Sequence, residues 1–282
     1  MYTKREIKAI RFYQGDNKEL IEKGNGDFWA LPSAYQTINC LMFDGISNEK
    51  ERIKEATKKL QPQVIEEVEK TIEVFCSLYS SMYKNVHKVG EKKELNTFRT
   101  ERGISIEELK KGHTVSFTST SKSVNMESFF YKKSDLTLLV FKFSTEIPHL
   151  DYETVLGQNN KYPQQREILL PPFLKISLED IQLTDKEKEY KDINGNSPCG
   201  KYEVRIEGLL EMNPEAESED RQELTKEKNE RAAELLKKLI NSLELSEEEE
   251  EEYTAWKKDF RASIWKKFKE IENSNGLKQY CE

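Results

Sequence analysis

The alternation of apolar and polar positions changes texture twice along the chain. Between about Asp27 and Tyr83 apolar residues recur at three- and four-residue steps. After Pro62, which can open a helix, Val64, Ile65, Val68, Ile72, Phe75, Leu78, Tyr79 and Met82 fall on one helical face. From Phe98 to about Gly208 short apolar runs alternate with turn residues. Residues 114–120, 137–143, 167–170, 173–176 and 202–206 are enriched in Val, Ile, Phe and Tyr and predict strands. Pro171-Pro172 must stop or bend the third run, because proline cannot donate to a ladder. Asn194-Gly195-Asn196-Ser197-Pro198 predicts a loop.

Beyond about Asn213 the pattern is helical again, on a background of Glu and Lys. Leu235, Leu236, Leu239, Ile240 and Leu243 form one stripe; Tyr253, Trp256, Phe260, Ile264, Phe268 and Ile271 form another. Either the two helices pack on each other or on the rest of the chain, or their apolar faces meet a partner or a membrane surface. The run Glu247 to Glu252 suits a helix start, where the dipole favours acids, with Ser246 as its cap. Helices first, then many strands, predict an α+β fold instead of alternating α/β.

Composition narrows the function classes. The chain has 282 residues, 34% of them charged and 36% hydrophobic, and the 10% that are aromatic argue for a packed core. A formal charge of −7 leaves no global positive field to gather nucleic acid. Cys40, Cys76, Cys199 and Cys281 are scattered, which fits reduced thiols and no zinc site. No apolar run is long enough to span a membrane, and the charged N-terminus does not read as a signal peptide. The expected location is the cytoplasm, or a target cell reached by a non-classical route.

Three segments carry candidate chemistry. In Thr97-Phe98-Arg99-Thr100-Glu101-Arg102-Gly103 an arginine sits within a strand start. An unpaired guanidinium is costly to bury, so it calls for an anion: a neighbouring acid, or a bound phosphate or carboxylate. In Val115-Ser116-Phe117-Thr118-Ser119-Thr120-Ser121 the hydroxyls alternate. They are either the wet face of a sheet or donors that orient a carboxylate or a sugar. In Tyr162-Pro163-Gln164-Gln165-Arg166-Glu167-Ile168-Leu169-Leu170, an extended chain would point Gln165 and Glu167 to one side and Arg166 to the other. Glu167 is then a polar strand end, or a carboxylate able to bind a ribose hydroxyl and steady a cationic sugar.

In this order and spacing the three segments resemble the arginine–serine–glutamate class of mono-ADP-ribosyltransferases, the class of clostridial binary toxins and Rho-modifying exoenzymes. The resemblance runs from about Trp29 to Ile206 and includes Tyr35-Gln36-Thr37-Ile38-Asn39, similar to the family's Y-x-x-I-N helix. Two departures stand out. Leu41-Met42-Phe43 occupies the place where many members carry a phosphate-binding arginine, and Gly103 lies further past Arg99 than is usual.

The resemblance implies an ADP-ribosyltransferase-like split β-sandwich with N-terminal helices. It would form a catalytic domain over residues 1–211, with an acidic, amphipathic helical extension over 212–282. NAD would be the substrate and no metal would be needed. Arg99 would hold the NAD diphosphate. Tyr35, Asn39, Gly103, Thr120 and Ser121 would complete the cofactor contacts, and Ser119 would fix the rotamer of Glu167. Glu167 would bind the nicotinamide ribose, and Gln165 would select an amide acceptor, an Asn or Gln side chain of a protein. Residues 154–164, with Tyr162, would recognise the target. The role implied is that of a bacterial toxin or effector, whose C-terminal helices are the expected seat of an antitoxin or chaperone. Three alternatives remain: modification of a nucleobase in RNA or DNA, for which the Lys/Arg-containing segment 84–93 would supply phosphate contacts, simple NAD hydrolysis, and a catalytically silent binding module.

Overall fold

The computed structural model describes residues 2–15, 28–31, 34–42, 60–86, 92–101, 106, 107, 109–124, 136–160, 162–191, 195–214, 223–241 and 243–274. The helices needed below are α1 (Lys4–Gln14), α2 (Ala34–Met42), α3 (Val68–Val86), α4 (Lys226–Ile240) and α5 (Glu247–Asn273). The strands are β1 (Glu94–Glu101), β2 (Thr118–Ser121), β3 (Thr137–Ser144), β4 (Leu150–Asp151), β5 (Glu167–Leu170), β6 (Leu174–Asp180) and β7 (Gly200–Leu209). The architecture is mixed, helices with a seven-stranded sheet, and contacts divide it into two compact units. One is helical and discontinuous in sequence, Met1–Ser81 with Met212–Glu282; the other is Met82–Glu211 and holds the sheet.

In the helical unit the apolar stripes find each other. Val64, Ile65, Val68, Phe75, Leu78 and Tyr79 are buried and Ile72 is half-buried; Met82, the first residue of the other unit, is buried as well. The single helix expected after Pro62 is interrupted. A short turn, Gln63–Glu66, ends at Glu67 (φ −106°, ψ 51°), and α3 starts afresh at Val68. From Val74 to Met82 every residue of α3 is buried, serines included, so this stretch is covered all round and not on one face. Tyr79 stacks on Phe268 of α5 at 4.0 Å and its hydroxyl donates to Glu272 at 2.8 Å; Phe75 meets Phe260 edge-on at 5.7 Å. The second C-terminal stripe is buried in full, Tyr253 through Ile271.

The first C-terminal stripe is buried only at Leu235 and Leu236. Leu239 and Ile240 are half-buried at the frayed end of α4, and Leu243, beyond that end, is 56% exposed. α4 and α5 pack on each other, α4 also on the Gln63–Glu66 turn, and α5 on α2. Ser246 caps α5 with a reciprocal bond from Glu249, the capping box that the acidic run foreshadowed. α1 is capped in the same way by Thr3 and Glu6, and Glu6, though 1% exposed, also accepts from Ser80 Oγ at 2.9 Å.

In the sheet unit the strand order is β4-β5-β2-β1-β3-β7-β6, antiparallel except between β3 and β7. The core is apolar: Leu139, Phe141 and Phe143 of β3, Ile168 and Leu170 of β5, Leu174 and Ile176 of β6, Val204 and Ile206 of β7. β3 is buried on both faces from Thr137 to Phe141, as a central strand should be. One seam is thin. β1 pairs with β3 along its whole length, but with β2 only at Phe98↔Ser121, so ladders of three and four strands meet through one residue pair.

Strand boundaries differ from expectation, most of all at β2. Residues 114–117 are not part of β2. Gly112 turns the chain at φ +83°, and Thr114 bonds instead to the corner between β5 and β6. Its N–H donates to Leu174 O at 2.9 Å and its carbonyl accepts from Phe173 at 2.7 Å. That corner is where Pro171-Pro172 break the sheet, and Phe173 turns there at φ +66° with its ring only 1% exposed. Burial of the ring offsets a left-handed backbone that ordinarily costs a non-glycine residue on the order of 1 kcal/mol.

Candidate functional site

The thin seam is where the three chemistry-bearing segments converge. β2 and β5 run antiparallel with Ser119↔Leu169, Thr120↔Ile168 and Ser121↔Glu167 opposed. Ser119 and Glu167 are therefore diagonal neighbours on one face, a spacing within reach of a side-chain hydrogen bond. Ser119 Oγ donates to Glu167 Oε1. Across the seam Arg99 Nη1 donates to the Ser119 carbonyl at 2.7 Å. The guanidinium thus stitches β1 to β2 where the ladder between them offers only one residue pair. Arg99 is half-buried, as is Ser119.

Glu167 opens β5. Burial pushes its carboxyl above the usual carboxylate range; the Ser119 hydroxyl and the Arg99 charge pull the other way and lose. A carboxyl raised by burial, with one hydroxyl donor and a cation close by, is a combination that clusters at functional sites.

The remaining hydroxyls of β2 are engaged with backbone. Thr120, on the opposite face from Ser119, is 4% exposed and donates to Ile168 O at 3.1 Å. Ser121 donates to Gln165 O at 2.7 Å and accepts from Ser123 N–H at 3.2 Å. The extended Gln165-Arg166-Glu167 that alternation predicts is not what forms. Pro163 starts a 3-10 turn, Pro163–Gln165, and Arg166 closes it in the left-handed region (φ 45°, ψ 46°) before β5 begins. Proline fixes φ for a turn, so the turn displaces the extended start. Gln165 and Glu167 accordingly sit on either side of a bend and not along one strand face. Gln165 and Tyr162 are half-buried, Arg166 is exposed, and the Tyr162 N–H donates to Asn160 Oδ1 at 3.1 Å.

Leading into that turn, Asp151 caps the short helix Tyr152–Leu156, and a 3-10 turn, Gly157–Asn159, follows. Lys122, the residue after Ser121, reaches back with Nζ to Asp151 at 2.6 Å and Glu153 at 3.0 Å. Its own N–H donates to Arg166 O at 3.1 Å. Neither Lys122 nor Asp151 stood out in the sequence. The only signal for them was position, a cation just past the Ser-Thr-Ser strand and an acid at a helix start.

Tyr35 and Asn39 belong to the other unit, on α2, whose helix coincides with the Tyr35–Asn39 motif. Tyr35 is 37% exposed and meets Tyr13 edge-on at 6.2 Å; Asn39 Oδ1 accepts from Tyr13 Oη at 3.1 Å. Gly103 lies outside the described residues, as do residue 161 of the expected target loop and residues 87–91 of the Lys/Arg segment.

Among the described residues no group of three or more His, Cys, Asp and Glu side chains is placed to hold a metal, and no helix is long and apolar enough to cross a membrane. Among the described residues Cys40, Cys76 and Cys199 are not in disulfides. No protein-family model and no curated protein matches this sequence. The site must speak through its geometry.

Proposed function

We propose that the chain is an NAD-dependent mono-ADP-ribosyltransferase with an ADP-ribosyltransferase-like split sheet, acting on an amide side chain of a target protein. The observation that carries this reading is the Ser119–Glu167 hydrogen bond beside Arg99. An arginine, a serine and a glutamate from three segments spread over the chain meet at one seam, and the serine donates to the glutamate as the motif resemblance leads one to expect. The near-division of the sheet at Phe98↔Ser121 supports the fold part of the reading, since a sheet held there by one pair can open into two layers.

The donor set fits NAD as a substrate. A guanidinium is the preferred partner of a diphosphate, and a carboxylate of raised pKa accepts a hydrogen bond from a ribose hydroxyl. Glu167, ionised, would steady positive charge at the sugar carbon as nicotinamide leaves with the bonding electron pair. Ser119 would hold that carboxylate to one rotamer, so little reorganisation is needed when the charge develops. Gln165, neutral and able both to donate and to accept, suits an amide better than a guanidinium.

The test incubates NAD labelled on its adenine side with a cell lysate and either wild-type or Glu167→Gln protein. Protease-sensitive label that the variant does not produce is the expected result. Nuclease-sensitive label would redirect the reading to nucleobases, free ADP-ribose alone would leave a hydrolase, and no nicotinamide release at all would overturn the enzymatic reading.

A further inference from the structure

The helix turn after Asp151 and the turn Pro163–Gln165 are fastened to the same pair of residues, Ser121 and Lys122. At the first, Lys122 Nζ lies 2.6 Å from Asp151 Oδ2 and 3.0 Å from Glu153 Oε2. At the second, Ser121 Oγ donates to Gln165 O at 2.7 Å and Lys122 N–H to Arg166 O at 3.1 Å. Asp151 is the hub of the first attachment. Its Oδ1 accepts the Glu153 N–H at 3.1 Å and its Oδ2 accepts from Thr154 Oγ1 at 2.9 Å, so the lysine grips a carboxylate already fixed by its own helix turn. The side chains of this pair are 25% and 17% accessible. Such partial burial limits solvent screening and sets the pair apart from ordinary surface ion pairs.

We propose that Lys122 is a positioning residue that holds the helix turn Tyr152–Leu156 beside the turn Pro163–Gln165 and thereby sets where Gln165 stands relative to Glu167, so that it governs transfer to an acceptor but not cleavage of NAD. The inference rests on the transferase reading above. Its physical basis is a separation of supports. Ser119 and Glu167 are held by the β2–β5 ladder and Arg99 by β1, none of which involves the Lys122 ammonium. Gln165 stands outside the ladder in a 3-10 turn, tied at its carbonyl to Ser121 Oγ, and the helix turn that follows Asp151 on the way to it is gripped by the Lys122 ammonium.

The chemistry divides in the same place. In both outcomes the bond from the ribose C1′ to the nicotinamide nitrogen breaks and its electrons leave with nicotinamide. In transfer an acceptor nitrogen supplies the lone pair for the new C1′–N bond and loses a proton to solvent. In hydrolysis water supplies the lone pair for a C1′–O bond and loses the proton. Only the first outcome needs an acceptor held in register, and misplacement by about 1 Å can cost on the order of a hundredfold in a positioned reaction.

The experiment scores adenine-labelled NAD in a cell lysate twice, as label precipitated with macromolecules and as free ADP-ribose, for wild type, Lys122→Met and Lys122→Arg. Lys122→Met is expected to lower the transferred fraction by about tenfold or more, with kcat and KM for nicotinamide release into water unchanged. Lys122→Arg, which keeps the charge, is expected to restore most of the transfer. Asp151→Asn retains an oxygen for the cap on Glu153 while removing the charge partner. It carries the same expectation if Lys122→Met does not fold. Amide hydrogen exchange provides an arm independent of activity, with exchange in 152–165 expected to rise in Lys122→Met while β2 and β5 stay protected. Equal loss of transfer and hydrolysis, or protection of 152–165 unchanged in the variant, would overturn the proposal. Absence of nicotinamide release from wild type would instead overturn the transferase reading and the catalytic consequence with it, leaving hydrogen exchange to decide the attachment.

Discussion

Tyr79 and Phe268 stack at 4.0 Å in the helical unit; Ser119 and Glu167 meet through one hydrogen bond in the sheet unit. The first contact belongs to a run of aromatic packing, Phe75 on Phe260 and Phe260 on Trp256, in which each ring is replaceable in kind though not in volume. The second has no substitute nearby, and it stands where the sheet is thinnest, at a single β1–β2 pair. The difference teaches that the two units spend their sequence differently. One is held by buried area, which tolerates chemical change and punishes lost volume; the other, at its seam, is held by the direction of a few polar groups, which tolerates lost volume and punishes changed chemistry.

The comparison can be broken from either side. The largest expected effect is on stability in the helical unit. Phe260→Ala removes a fully buried ring and should cost about 3–5 kcal/mol, read as a shift in denaturant midpoint; a loss well under 1 kcal/mol would mean the helices do not share a close-packed core. Next comes Glu167→Gln, which should lower nicotinamide release by on the order of 10²–10³ while leaving the fold intact.

The same variant sharpens the comparison through pH. Because the folded carboxyl titrates above its unfolded value of about 4.3, the folded state holds its proton more tightly. Below about pH 4 both states are protonated and Glu167 makes no difference. As pH rises through the raised value, ionising it inside the fold lowers stability. Glu167→Gln should therefore melt at a higher Tm than wild type at pH 7, with the gain absent near pH 4. A Tm that falls at neutral pH would show that the ionised carboxylate is a structural asset instead. Turnover by wild type should also lose activity on the acid side at a higher pH than an ordinary glutamate would give.

Smaller effects follow. Arg99→Met leaves the Ser119 carbonyl without its guanidinium donor and should destabilise the sheet unit by about 1–3 kcal/mol. It should also abolish NAD binding in a titration followed by calorimetry, whereas an arginine that only stitched the seam would leave binding unchanged. Ser246→Ala removes one side of the α5 capping box and should cost about 1 kcal/mol with no change in turnover.

Much of this arrangement was legible in the residues. The strand over 167–170 and the cap at Ser246 follow from local pattern, because a short apolar run bounded by proline and an N-cap residue act within a few positions. The meeting of Arg99, Ser119 and Glu167 came from motif order. What stayed hidden was long-range or conformational. Nothing local announces that α3 is buried all round from Val74 to Met82, since serines at 77, 80 and 81 read as a polar face, yet all three are buried and Ser80 donates to Glu6 of α1. The place of Gln165 is not legible by alternation, which assumes extended backbone, because Pro163 with a left-handed Arg166 replaces it by a turn. Lys122 escaped notice because an ion pair to Asp151 spans a loop whose closure no periodicity encodes.

The helical unit is assembled from both sides of the sheet unit in sequence, and this has a consequence for its biosynthesis. Tyr79 and its partner Glu272 are 193 residues apart. At ordinary rates of translation, about 5–20 residues per second, α3 leaves the ribosome roughly 10–40 s before α5 exists to cover it. During that interval Phe75 and Tyr79 lack the rings of Phe260 and Phe268, while the sheet unit already has all of its strands. A nascent chain arrested before residue 247 should accordingly hold a finished sheet and an uncovered helix, and be bound by holdase chaperones through the latter.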